Sequence, residues 1–109
     1  MAFDETLARR IRESLSRRRG VQEKKMFGGV GFLLNGNMLV GVWKKSLVVR
    51  LAADEYAWAL SEPNVREFDI TGRPMKGWIL VEPEGVEDVD QIDNWIRRAT
   101  KFVKTLPAK

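Results

Sequence analysis

Met26 to Gly36 packs three glycines (Gly28, Gly29, Gly31) among Met26, Phe27, Val30, Phe32, Leu33 and Leu34, and ends in Asn35-Gly36. A phosphate-binding loop needs a Lys and a Ser or Thr directly after its last glycine, with a helix behind them. Here Gly31 runs into Phe32-Leu33-Leu34, an apolar β-type run, and then a turn. No helix follows the glycines, so a dinucleotide fingerprint fails as well. Glycine inside a strand marks a bulge, a bend or the close approach of a packed helix. The segment from Lys25 is therefore read as a strand that enters a tight hairpin. Asn and Gly both tolerate the positive φ that a type I′ turn demands.

The return strand is Met38 to Trp43, and the polar Lys44-Lys45-Ser46 makes the next turn. Leu47 to Leu51 follows, with Leu47, Val49 and Leu51 on one face by period-two alternation. Val65 to Phe68 and Trp78 to Val81 read as a fourth and a fifth strand. A first helix is expected from Phe3 or Asp4 to about Ser16. Asp4 is its N-cap, Gly20 its stop, and Phe3, Leu7, Ile11 and Leu15 form one stripe. Asp54 is read as the cap of a short helix to Leu60. The last helix is the clearest. Ile92, Trp95, Ile96, Ala99, Phe102, Val103 and Leu106 share a face, acids crowd its start, cations its end, and Pro107 stops it. The order α-β-β-β-α-β-β-α predicts one α+β domain over residues 1–109, a two-layer sandwich in which helices cover one face of an antiparallel five-stranded sheet.

The chain has no histidine and no cysteine. Ser-His, Cys-His and thiol chemistry are excluded within one chain, as are disulfides and His or Cys metal sites. Carboxylates, Lys, Tyr56 or a hydroxyl would have to carry any catalysis, so the expectation is no enzyme and no cofactor. Glu82, Glu84, Glu87, Asp88, Asp90 and Asp93 form an acidic stretch, but their spacing matches no EF-hand loop. Capping and dipole complementarity account for part of it, and no metal is expected. No apolar run approaches the ~20 residues that cross a bilayer. Arg9, Arg10 and Arg12 interrupt any signal-peptide core, so a cytoplasmic protein without membrane contact is expected.

Net charge is +4, and the excess is local. Residues 1–25 hold eight Lys/Arg against four acids, whereas residues 26–109 hold eleven of each. Arg9, Arg10, Arg12, Arg17, Arg18 and Arg19 are the candidate nucleic-acid contacts, a cluster suited to weak, salt-dependent binding of phosphates. At about 100° per residue they divide to either side of the apolar stripe, which suits a solvated helix face. Arg18 would fall in the stripe, so the helix is expected to end before it. The Arg17-Arg18-Arg19 run keeps a phosphate clamp open.

Two further features point to contact with another molecule. Arg73 and Lys76 flank a loop beside Trp78, where two cations could grip an anionic ligand or partner; a plain strand connector is the alternative. The first two strands are apolar on both faces, with Phe27, Leu33, Leu39 and Trp43 alternating with a second apolar set. Helices on one side would leave the other in need of cover, so a homodimer or a protein partner is expected there, unless the helices wrap far enough to bury both.

Met26-Phe27-Gly28-Gly29-Val30-Gly31, Arg73-Pro74-Met75-Lys76-Gly77-Trp78 and Trp95-Ile96-Arg97-Arg98-Ala99 together resemble the N-terminal domain of the TfoX/Sxy family, over roughly residues 5–106. The resemblance implies an α+β fold similar to secretion chaperones and YjbR-like domains. It also implies, for some members, a regulatory role in natural competence beside the cyclic-AMP receptor protein. Longer competence regulators of the family carry a second, helical C-terminal domain, and this chain is expected to be a stand-alone N-terminal domain. The family supplies no catalytic residues to carry over.

Overall fold

The computed structural model describes residues 3–26, 28–69, 72 and 75–108. Among them run α1 (Glu5–Ser14), β1 (Val21–Met26), β2 (Gly29–Leu34), β3 (Asn37–Trp43), β4 (Ser46–Arg50), α2 (Ala53–Ala59), β5 (Val65–Glu67), β6 (Trp78–Val81), a 3-10 turn (Pro83–Gly85) and α3 (Val89–Val103). The strands form one antiparallel sheet in the order β1-β2-β3-β4-β6-β5. The class is the α+β sandwich expected, with six strands in place of five.

The additional strand is β1. Its Gln22, Glu23, Lys24 and Lys25 are exposed, because an edge strand has one neighbour and shows no apolar alternation. The glycine-rich segment is therefore two strands. Met26 pairs with Gly29, and the chain reverses at Gly28, whose φ of 76° few side chains tolerate. Asn35 (φ 54°) and Gly36 (φ 85°) make the hairpin turn as expected. Lys44 also has positive φ, at 55°, and its carbonyl accepts the Asp4 N–H at 2.7 Å, which ties the start of α1 to the β3–β4 turn.

Asp4 caps α1 by accepting from the N–H groups of Thr6 and Leu7, at 2.9 and 3.2 Å. The helix ends at Ser14, two residues earlier than expected and short of Arg18. Asp54 does not cap α2. That helix starts at Ala53 on Ala52 without a side-chain cap, and Asp54 lies in its first turn, where its charge still favours the dipole. In α3 the Asp88 carboxylate accepts the Gln91 N–H at 2.8 Å while the Gln91 side chain accepts from the Asp88 N–H, a reciprocal capping box.

The helices lie on one face. Leu7, Ala8, Ile11 and Leu15 join Ile92, Trp95, Ile96, Ala99 and Val103 over Val30, Phe32, Leu34, Val40, Val42, Leu47, Val49, Ile79 and Val81. A bulge enlarges this core. Phe32 pairs with Val40 but Leu33 with Met38, so Leu39 is the extra residue, and Leu39 and Val40 both turn inward and are fully buried. On the opposite face Val48, Phe68 and Leu80 form a second cluster, flanked by Met38, Trp43 and Trp78, without a helical residue.

Candidate functional site

Three surfaces bring together some of the candidate side chains that the sequence picks out. The first is the helix-free face. Gly29, Gly31 and Gly41 lie side by side on β2 and β3 and give it a shallow floor. A Cβ at Gly31 would stand 2.7 Å from the Met26 sulfur and 2.9 Å from that of Met38, so the two thioethers close over it. Leu33 and Trp43 belong to this face, and the Lys44 ammonium sits 4.6 Å above the Trp43 ring. Trp78 stacks at a tilt on Phe68, with centroids 6.2 Å apart. Leu39 is the correction: the bulge turns it to the helix side, so it does not share a surface with Leu33 and Trp43. Phe27 and Arg73 lie outside the described residues.

The second surface is a groove of about 510 Å³ between α1 and α3, lined by Leu15, Arg18, Asp93, Arg97, Lys101 and Lys104 with Ser14, Ile96 and Thr100. Here the N-terminal cations part company. Arg12 grips Glu23 through two bonds of 2.8 and 2.7 Å, and this pairing raises the Arg12 pKa and lowers that of Glu23. Arg10 donates to the Glu87 carbonyl at 3.0 Å. Arg9, Arg17 and Arg19 stay exposed. Arg18 alone among the six lines the groove, together with Arg97 and Lys101 of α3 and Lys104 at its C-cap. The groove's carboxylate, Asp93, already accepts from the Ser14 hydroxyl at 2.6 Å. Along the sequence alone, Arg97, Lys101 and Lys104 read as complements to the helix dipole. The signal was available, since residues 97, 101 and 104 are spaced by four and three and share a helix face.

The third is a groove of about 440 Å³ at the end of the sheet, between the start of β6 and the last turn of α3. Arg50, Tyr56, Lys76, Trp78 and Phe102 line it with Leu51, Ala53 and Gly77. Lys76 and Trp78, singled out from the sequence, thus meet here. Arg50 and Phe102 were missed, Arg50 because it looks like the polar position of an alternating strand. The Arg50 guanidinium stands 5.2 Å from the Trp78 ring centre and 5.8 Å from that of Phe102. Its one hydrogen bond among the described residues is a long 3.5 Å contact to the Met38 carbonyl, and no carboxylate there pairs with it. Burial lowers its pKa from the ordinary arginine value, yet an arginine stays charged. Tyr56 donates to Glu67 at 3.4 Å; burial first, then the Glu67 charge and hydrogen bond, raise its phenol, so it is neutral near pH 7.

The acidic stretch does other work. Glu82 pairs with Arg66, Asp88 caps α3 and Asp93 holds Ser14. Among the described residues no three carboxylates converge on a cation site, and no helix is long and apolar enough to cross a membrane.

No curated protein and no solved structure matches the chain. The family model for the TfoX N-terminal domain does, over residues 13–103, a span from the end of α1 to the end of α3 that contains the whole sheet. With that match over most of its length, the chain belongs to the TfoX N-terminal domain family.

Proposed function

We propose that this chain is a non-catalytic domain of the cytoplasm that regulates by protein–protein contact, with a partner protein or a second copy docking on the helix-free face of the sheet. One observation carries the reading. Met26, Met38, Trp43 and Trp78 are half-buried apolar side chains on a face that no described helix covers. Methionines over a glycine floor make an adaptable apolar surface, and aromatic side chains are enriched where proteins meet. Membership of a family of regulatory-type domains favours the same direction, with transcriptional or competence-type control as the process. Capture from the native cytoplasm after nuclease treatment, together with light scattering, tests it. A defined partner or a dimer mass is expected, lost in Trp43→Glu while the melting transition persists. A monomer that captures nothing, or capture indifferent to Trp43→Glu, would end the reading.

The basic groove supports a second reading, weak nucleic-acid binding. Arg18, Arg97, Lys101 and Lys104 line one concavity, an arrangement suited to a phosphate backbone. Fluorescence anisotropy with a duplex at two salt concentrations would show affinity falling as salt rises, and falling again in the Lys101→Ala, Lys104→Ala double variant. Absence of binding at low salt removes this reading.

A further inference from the structure

We propose that the groove of Arg50, Lys76, Trp78 and Phe102 binds a small planar organic anion, a flat ring that bears a carboxylate or a phosphate. This goes beyond protein contact and rests on the charge and shape of the groove, which shares only Trp78 with the docking face.

The half-buried Arg98 and the exposed Arg66 and Arg12 each find a carboxylate, and the half-buried Arg10 makes a 3.0 Å bond to the Glu87 carbonyl. Arg50 is half-buried and finds none among the described residues, although desolvating an arginine without an anion costs free energy. A second cation, Lys76, lines the same groove, and among the described residues no carboxylate does. Two cations facing one concavity repel each other unless an anion sits between them.

Shape supplies the rest. A volume of about 440 Å³ lies within the range of small-molecule sites, roughly 300 to 1,000 Å³. Trp78, Phe102 and Tyr56 give the lining flat apolar surfaces, while Leu51 closes the buried side. The Trp78 and Phe102 rings also hold the guanidinium between them, limiting its rotamers before a ligand arrives. An arginine fork prepared in this way bonds two oxygens of a carboxylate or phosphate at once. The Tyr56 ring, in the same lining, offers a flat surface against which a planar ligand can pack.

The probes are benzoate, phenyl phosphate and uncharged benzamide, titrated into the isotopically labelled chain and followed by amide NMR shifts. Benzoate or phenyl phosphate should shift the amides of Arg50, Gly77 and Trp78, the tighter of the two identifying the anion. Benzamide should bind at least tenfold more weakly. Arg50→Met keeps the length and removes the charge, and should lose at least tenfold in affinity. Lys76→Met, at an exposed position, should lose severalfold and guards against a folding defect in the first variant. The proposal is overturned if neither anion shifts these amides at millimolar concentration, if benzamide binds as well, or if both variants bind like the native chain. Retained protein contact with a silent groove would sink this site alone.

Discussion

Arg12 and Glu23 show what a single exposed pair contributes. Their side chains are 51% and 37% exposed, so solvent screens the pair and its worth is under about 1 kcal/mol despite two good bonds. The Glu23 pKa is lowered in the fold, chiefly by the Arg12 hydrogen bond. Its contribution is therefore present above the unfolded carboxylate pKa and disappears as pH falls through the lower folded value. Glu23→Gln should cost under about 1 kcal/mol at pH 7, and the difference from the native chain should vanish in acid. Urea denaturation at several pH values checks this, and a gap that widens on acidification would contradict it. Gly77 is a different kind of residue. Its φ is 88°, and a Cβ there would meet the Leu51 carbonyl at 3.1 Å. That carbonyl belongs to backbone and cannot swing aside. Gly77→Ala should destabilise by about 1–2 kcal/mol, seen as a lowered melting temperature.

Among the elements, α3 is the most fully specified by local sequence. Its apolar positions, its capping box and its cationic end all agree, so its bounds follow from residues within a few positions of one another. Asp88→Ala removes the side-chain acceptor at the N-terminus and should cost about 1 kcal/mol by chemical denaturation, with Asp88→Asn recovering much of it. The packing of α2 onto α3 is not local. Arg98 bonds Glu55 at 2.7 Å and lies 4.2 Å over the Trp58 ring, and Trp58 in turn meets Trp95 at 6.0 Å. Nothing in the spacing of these residues reveals that they join, because they lie on separate elements. β1 escaped for a related reason. Its four central side chains face solvent, and what makes it a strand is pairing with β2 along the backbone.

For the molecule as a whole, the sheet carries two unequal cores. The large one lies under the helices. The small one, Val48, Phe68 and Leu80, is roofed by Met38, Trp43 and Trp78. Leu80 is fully buried there, so Leu80→Ala should cost about 2–5 kcal/mol if the roof packs as tightly as the helical side. A loss below about 1 kcal/mol would mean a loose face. The same roof is the proposed docking surface, so Leu80→Ala tests its rigidity while Trp43→Glu tests its use.

Class, helix positions, the hairpin at Asn35-Gly36 and the strand β6 were legible in the chain alone, since each depends on periodicity, capping or turn chemistry within a short window. The site was legible in fragments: Lys76 and Trp78 without Arg50, Arg18 without the α3 cations. Leu39 was assigned to the wrong face because alternation assumes an unbroken ladder, and a bulge is fixed by the partner strand. Contacts between distant segments depend on which strands pair, in what register, and where each helix settles. Those choices minimise exposed apolar area and unpaired backbone over the entire fold, and no short window of residues contains them.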